Sequence, residues 1–307
     1  MSAAWKPQHA IRLIAGTPPG GGLDRVARAL EKAFAESGSL GVPLEVINIA
    51  GAGARKAWTD DVDRHVGDGH VVAVSSPNLT TDYLVGALDF EHTKYTPIAT
   101  LITEYIAFAA RADSPLKTGA DFIARLRPGA KPPTVALSTA LGNPNHIALA
   151  KLSRHAGGDI NAPVIRVFDS APTAVADVVS GTADVCAVTA ASVITELKAG
   201  NIRVLGISAP ERLNGTFADT PTWREQDADC VIGAWRGITG PPGLDPTQVA
   251  FWEKALREAI AQPVWREELA RLSWSPFYKD GAALSSFFAK ERAEFVVTLG
   301  ELGLLER

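Results

Sequence analysis

The chain reads as an α/β protein built from two doubly wound lobes with a ligand cleft between them. Short apolar runs alternate with helical periods along most of its 307 residues. Glycine-rich turns stand between several of these runs and the helices that follow. Two long apolar stretches, one after Pro97 and one after Cys230, set the middle of the chain apart from its ends. The length suits one large domain or two medium ones, and 46% hydrophobic residues are enough to build their cores.

The first run, Ile11-Arg12-Leu13-Ile14-Ala15-Gly16, is a strand that meets the turn Thr17-Pro18-Pro19-Gly20-Gly21-Gly22. Leu23, Val26, Ala27, Leu30 and Phe34 then recur on one helix face through Asp24 to Glu36, and Gly38 and Gly41 close that helix. A second unit repeats the plan with a strand over Leu44–Asn48, the loop Gly51-Ala52-Gly53-Ala54 and a helix from Ala57 to Val66. In a third, the turn Gly67-Asp68-Gly69 precedes a strand from His70 to Ser75, then the polar loop Ser76-Pro77-Asn78 and a segment holding Tyr83 and Leu84. This alternation predicts a largely parallel sheet covered on both faces.

Pro97 to Ala110 is a long apolar stretch, read as two strands or as one extended crossing. Leu116-Lys117-Thr118 opens a helix through Phe122 and Leu126, Thr134–Ser138 is a strand, and Ile147–Ala156 is a helix. Strands are expected over Pro163–Phe168, Ala183–Val188 and Arg203–Ser208, with a helix over Ala174–Val179 after the first and Glu196–Ala199 leading to the turn Gly200-Asn201 before the last. Cys230 to Thr239 crosses back, and helices over Pro246–Gln262, Val264–Leu272 and Ala282–Leu302 complete the first lobe. The expected organisation is lobe 1 from residues 1–105 and 231–307, with lobe 2, residues 106–230, inserted. Hinge bending is expected at the crossings, near Thr103–Phe108 and Ala234–Ile238. Ligands of such sheets bind beyond the carboxyl ends of the strands, where the glycine loops lie.

Thirty basic and 34 acidic residues, spread without long runs of either sign, offer no footprint for nucleic acid or anionic lipid. No stretch approaches 18 consecutive apolar residues, and the segment MSAAWKPQHA lacks the apolar core of a signal peptide. An exported protein would therefore be represented here in its mature form. The two cysteines, Cys186 and Cys230, and six scattered histidines have no metal-ligand spacing, so neither metal nor cofactor is expected. A Cys186–Cys230 disulfide would need an oxidising compartment; the apolar runs around both favour small buried thiols.

Each glycine loop can turn backbone N–H groups and a helix N-terminus toward an anion. Thr17–Gly22 is neither a Walker loop nor a GxGxxG fingerprint, which weakens a nucleotide reading. Ser138-Thr139-Ala140-Leu141-Gly142-Asn143-Pro144-Asn145-His146 forms another such loop. Asn143 there caps a helix with Pro144 at its first position, an arrangement expected to leave N–H groups facing the cleft. His146 is read as a packed, hydrogen-bonded residue.

In order along the chain, these motifs resemble the extracytoplasmic solute receptors of tripartite tricarboxylate transporters, the Bug receptors, over nearly the whole length. The resemblance is carried by Ile11-Arg12-Leu13-Ile14 with Pro18-Pro19-Gly20-Gly21-Gly22 and Asp24, Asn48 with Gly51-Ala52-Gly53, Gly67-Asp68-Gly69, Ala112-Asp113-Ser114-Pro115 with Lys117-Thr118, and Ser138 to His146. It continues through Gly181, Asp184-Val185 and Lys198-Ala199-Gly200-Asn201-Ile202-Arg203. Trp235-Arg236-Gly237, Pro241-Pro242-Gly243 and Glu301-Leu302-Gly303-Leu304 resemble the tricarboxylate-type branch. The resemblance implies a type II periplasmic binding protein fold that closes around a small organic carboxylate, without enzymatic activity. It implies contacts from the backbone of Pro19, Gly20, Gly21 and Gly22 and of Ala50, Gly51, Ala52 and Gly53 in one lobe, and from Ser138, Thr139, Asn143 and Asn145 in the other, with water bridging part of the contact. Ser76 joins the first group as the strand-end loop of the third unit. Asp24 is expected to organise its loop as an acid at a helix N-terminus rather than to touch an anion. The implied setting is a periplasmic monomer that serves the membrane permease subunits of such a transporter.

Departures from the family pattern bear on the ligand. Ala54 stands where many members have glycine, and Arg55 and Lys56 follow, either as a solvated helix start or as cations for a second carboxylate. Phe168-Asp169-Ser170 replaces a tyrosine and a lysine-glycine pair, losing a hydroxyl and gaining an acid; it either admits an amine-bearing or aromatic ligand or caps the next helix. Thr189 is the remaining side-chain donor at the following strand end, and Ala140 narrows its loop. An enzyme would need a nucleophile with its base or a carboxylate pair, and neither Ser138 with His146 nor Asp169 with Asp24 has the spacing that specifies one. A ligand-sensing module that signals to a membrane partner is the alternative with the same fold and site.

Overall fold

The computed structural model describes residues 4–307. Two compact units make up the chain. Unit 1 takes in the chain up to Thr103, Trp235–Arg271 and Ser275–Phe295; unit 2 takes in Glu104–Ala234, Leu272–Trp274 and Val296–Arg307. The chain leaves unit 1 within strand β4 (Thr96–Arg111) and re-enters it within β9 (Gly233–Gly240). The apolar stretch after Pro97 is thus one 16-residue strand. Leu272–Trp274 and Val296–Arg307 group with unit 2, whereas the sequence pattern assigns all of 231–307 to the first lobe. Trp274 donates through Nε1 to the buried Glu104 at 3.0 Å, and Glu301 pairs with Arg154. Helical periodicity reveals a helix but not which neighbour its end packs on.

In unit 1, β1 (Ile11–Ala15) lies between β2 (Leu44–Asn48) and β3 (Val71–Ser75), parallel to both. β9 runs antiparallel to β3, and β10 (Ser275–Asp280) runs antiparallel to the first part of β4. β10 has no strand-like pattern in the sequence. Pro276 lies within it and its register shifts between Pro276 and Lys279, as happens where a strand pairs irregularly. Helix α1 (Gly22–Ser37) buries Leu23, Val26, Ala27, Leu30 and Phe34, the face its periodicity predicts. Gly38 ends it in left-handed conformation (φ 63°), with its N–H bonded to the Phe34 carbonyl. Phe34 meets Trp252 of α8 (Pro246–Ile260) edge to face. A capping box of Asp245 and Gln248 starts that helix. Helices α2 (Arg55–Arg64) and α3 (Asn78–Leu84) follow β2 and β3, and α9 (Pro263–Leu272) and α10 (Gly281–Glu301) flank β10.

Unit 2 carries β5 (Thr134–Ser138) between β6 (Val164–Phe168) and β7 (Val185–Thr189), all parallel, with β4 antiparallel to β7 and to β8 (Ile202–Ile207). Successive side chains of a strand face opposite ways, and the packing shows it. Ile106, Phe108 and Ala110 of β4, Val135 and Leu137 of β5, and Val185 and Ala187 of β7 fill one core. The residues between them, Ala107, Ala109, Ala136, Cys186 and Val188, fill another. Helices α4 (Gly119–Leu126), α5 (Pro144–His155), α6 (Ala171–Val179) and α7 (Ile194–Lys198) complete the unit. Cys186 and Cys230 sit in different cores as free thiols, both pushed up to about 12 by burial. Among the described residues no helix is long and apolar enough to cross a membrane, and no group of three His, Cys, Asp or Glu side chains is placed to hold a metal.

Candidate functional site

The loops at the carboxyl ends of β1, β2 and β3 hold the residues singled out in unit 1. After β1 the chain turns tightly, and the Gly21 N–H donates to the Pro18 carbonyl at 2.9 Å. Asp24, 4% exposed, anchors the turn. It accepts the Gly20 N–H at 2.7 Å through Oδ2 and the Asn48 amide at 2.9 Å through Oδ1, while Arg28 lies 3.4 Å away. The Asp24 N–H in turn donates to Thr17 Oγ1 at 3.1 Å. Two of the three glycine N–H groups are therefore engaged inside the turn, and Pro19 has none to offer.

The loop after β2 packs against this turn. A β-carbon placed on Gly16 would lie 2.5 Å from that of Ala54, so the two backbones meet with no room between them. Ala52 (φ 49°), Gly53 (φ 65°) and Ala54 (φ 85°) are all left-handed. Of the five non-glycine residues with positive φ among the described residues, Ala52, Ala54 and Thr139 lie in the predicted loops; Asp227 and Ser273 lie elsewhere. Ala50 and Gly51 are exposed. Ser76, 4% exposed, begins the turn into α3, its carbonyl accepting the Leu79 N–H at 3.0 Å.

In unit 2 the residues from Ser138 to His146 form a closed network. Asn143 accepts the N–H groups of Asn145 and His146 at 3.1 and 3.2 Å and donates to the Ser138 carbonyl at 2.8 Å and to Thr139 Oγ1 at 2.9 Å. The open N–H groups expected at the start of α5 are thus taken up by their own cap. Asn145 donates to Ser138 Oγ at 3.1 Å. His146, 4% exposed, accepts the Gly142 N–H at 3.0 Å, and burial lowers it to about 4, so the ring is neutral at pH 7 and its Nδ1 is unavailable to Ser138. Thr139 holds φ 74°, and its N–H joins the Phe168 carbonyl at 2.7 Å, which brings the loops after β5 and β6 together. Asp169 is exposed; Ser170 caps α6, accepting the Thr173 N–H at 3.5 Å. The Phe168 ring lies beneath the Arg166 guanidinium, 5.6 Å from its centroid. Thr189 Oγ1 pairs with Ser192 Oγ at 3.1 Å.

Three side chains near the unit 1 loops carry no signal in a reading of loops alone. A β-carbon on Gly22 would lie 3.7 Å from Arg236 Nη2 and 4.0 Å from Arg25 Nη2, so two guanidinium groups border the start of α1. Arg25 also donates to the Gly20 carbonyl at 2.9 Å. Asp82, fully buried in α3, binds Arg55 at 3.1 Å; burial lifts its carboxyl to about 7 against the downward pull of that cation. Trp235-Arg236-Gly237 had pointed to Arg236 only as part of a motif.

Parallel strands whose carboxyl-end loops cluster in each of two units give the fold of periplasmic binding proteins, which BugD shares at 20% identity with a TM-score of 0.83 over 98% of this chain. The sequence profile described as tripartite tricarboxylate transporter family receptor matches residues 26–304, and the chain belongs to that family. Protein BugT of Bordetella pertussis is 26% identical over 99% of this chain and 92% of its own. A TctC solute-binding protein from Polaromonas is 26% identical, with a TM-score of 0.70 over 96% of this chain and 99% of its own. MatC of Rhodopseudomonas palustris, solved with bound malate, shares the fold at 23% identity, with a TM-score of 0.80 over 95% of this chain and 99% of its own. The protein is a transport receptor of this family, whose members are periplasmic solute-binding proteins rather than enzymes.

Proposed function

We propose that this receptor holds a small organic acid by its carboxylate on the strand-end loops of unit 1, with further contacts from those of unit 2, and hands it to the permease subunits of a tripartite tricarboxylate-type transporter. In unit 1 the donors are the backbone at Gly22 and at Ala50–Gly53, together with Ser76. In unit 2 they are Ser138, Thr139, Ser170 and Thr189, with Asn145 orienting the Ser138 hydroxyl through its own amide and Phe168 and Asp169 setting shape and charge. Pro19, Gly20, Gly21 and Asn143 shape these loops, because the turn N–H groups and the Asn143 amide are already engaged. The receptor works in the periplasm as a monomer.

The observation that carries this reading is the left-handed backbone at Ala52, Ala54 and Thr139. Residues with a β-carbon resist that conformation by roughly 1–2 kcal/mol, and they persist in it where a loop has to present its backbone. Family membership and the malate bound to MatC support a carboxylate as the guest. Isothermal titration with malate, succinate, citrate, glutamate and benzoate tests the reading. At least one acid should bind and raise the melting temperature, and Gly53→Val should weaken it by forcing a branched residue into φ 65°. If no carboxylic acid binds the wild-type protein, the proposal fails.

A further inference from the structure

Arg55 is the first residue of α2 and directly follows the Ala50–Ala54 loop. Its Nη1 donates to Asp82 Oδ2 at 3.1 Å, and the two side chains differ sharply in exposure, 25% for Arg55 and 0% for Asp82. The other Asp82 oxygen, Oδ1, has no hydrogen-bond partner among the described residues. A buried carboxylate with one unmatched oxygen is costly to keep, and an apolar pair would join α2 to α3 at lower cost. What the ionic pair achieves and an apolar pair would not is a guanidinium fixed in direction. One donor is spent on Asp82, and the other donors of the planar fork belong to a side chain that stays 25% exposed directly after the loop. Lys56 is fixed differently. Its stem lies over Gly51, with Cδ 3.4 Å from where a β-carbon there would stand, and the side chain is exposed. Of the two cations beside the loop, Arg55 is the one anchored from within the core.

We infer that Arg55, positioned by Asp82, selects ligands that carry a second carboxylate. The inference rests on the carboxylate-binding reading of the Ala50–Gly53 loop. The loop backbone takes the first carboxylate, and the Arg55 fork takes the second in a charge-assisted pair. A monocarboxylate of the same chain length leaves the guanidinium without its partner.

Calorimetric titration at pH 8 compares matched acids: succinate with butyrate, malate with 2-hydroxybutyrate, and adipate with hexanoate. The proteins are wild type, Arg55→Gln and the double variant Arg55→Gln/Asp82→Asn, which removes both charges and so leaves no unpaired carboxylate in the core. The wild type should prefer a diacid to its monoacid by about tenfold or more. Both variants should erase that preference by lowering diacid affinity far more than monoacid affinity. The inference is overturned if diacid and monoacid bind wild type equally, if the preference survives in the double variant, or if mono- and diacid binding fall together in a folded variant. In each of those outcomes binding by the wild type still upholds the carboxylate reading. Absence of binding by every acid overturns both.

Discussion

Asn48, at the end of β2, donates its amide to Asp24 in the first turn of α1 at 2.9 Å, and the second Asp24 oxygen takes the Gly20 N–H at 2.7 Å. The bond joins the loops after two adjacent parallel strands. It also sets where a guest anion can sit. Asp24 lies at the positive end of α1 and partly neutralises it. A second carboxylate would meet that negative charge if it approached along Gly20 and Gly21. On the proposed reading, the backbone at Gly22, bordered by Arg25 and Arg236, and at Ala50–Gly53 is the favourable surface.

Asp24→Ala should therefore loosen both loops at once. It removes two hydrogen bonds to a buried carboxylate, each worth roughly 1–2 kcal/mol, so the variant should lose about 2–3 kcal/mol. Urea denaturation measures the loss, and carboxylate titration should show weaker binding than wild type. A variant of unchanged stability would remove Asp24 from its organising role.

The adjoining glycines should respond in opposite ways. A methyl on Gly21 would lie 2.6 Å from Thr17 Cβ and 2.7 Å from Thr17 Oγ1, well inside contact distance. Gly21→Ala should cost about 1–3 kcal/mol by overpacking. On Gly22 the nearest atom is Arg236 Nη2 at 3.7 Å, an ordinary contact, and alanine is the better helix former. Gly22→Ala should leave thermal stability equal or slightly higher and yet weaken binding of whichever carboxylic acid the wild-type protein takes. Loss of stability at Gly22, or undiminished affinity, would contradict the role given to its backbone.

Much of this was legible in the sequence because it depends on local chemistry. The apolar spacing from Leu23 to Phe34 located α1, Gly38 its end, and Asp24 its organising acid. What stayed hidden depends on partners distant in sequence. Nothing in the Asn143-Pro144 cap tells that its amide also returns to Ser138 and Thr139 and closes the network. The sequence alone leaves Arg55 either solvated or facing a ligand, because Asp82, 27 residues on, shows no sign of burial there. β10 escaped because Pro276 and an irregular register erase the alternation by which strands are recognised.

Asn143 offers a test of that closed network. Asn143→Ala removes a helix cap, worth about 1 kcal/mol, and leaves the Ser138 carbonyl with one donor fewer, so a total loss of about 2–3 kcal/mol is expected. Asn143→Asp keeps the cap acceptor but loses both amide donors, and should fall between alanine and wild type. Equal stability of the Asp variant and wild type would show that the amide contacts contribute nothing. Thermal unfolding of the three proteins decides it.

Asp61 gives the protein a pH dependence whose sign follows from its burial. The residue is 0% exposed on α2, both its carboxylate oxygens lack hydrogen-bond partners among the described residues, and burial raises its pKa from 3.8 to about 7, with Asp60 adding to the rise and Arg12 opposing it. Between about pH 4 and 7 the folded state keeps a proton that the unfolded state has released. Stability from this group is therefore greatest below about pH 4, falls as pH rises through 7, and is flat beyond. Asp61→Asn is neutral at every pH and of nearly the same shape. Its gain over wild type should be negligible at pH 4 and on the order of 2–4 kcal/mol at pH 8. Paired urea denaturation of the two proteins at pH 5, 6, 7 and 8 isolates this term, because contributions of the other groups cancel in the difference. A difference that stays constant with pH would mean that Asp61 is ionised in the folded protein throughout and that its charge is stabilised by the nearby Arg12.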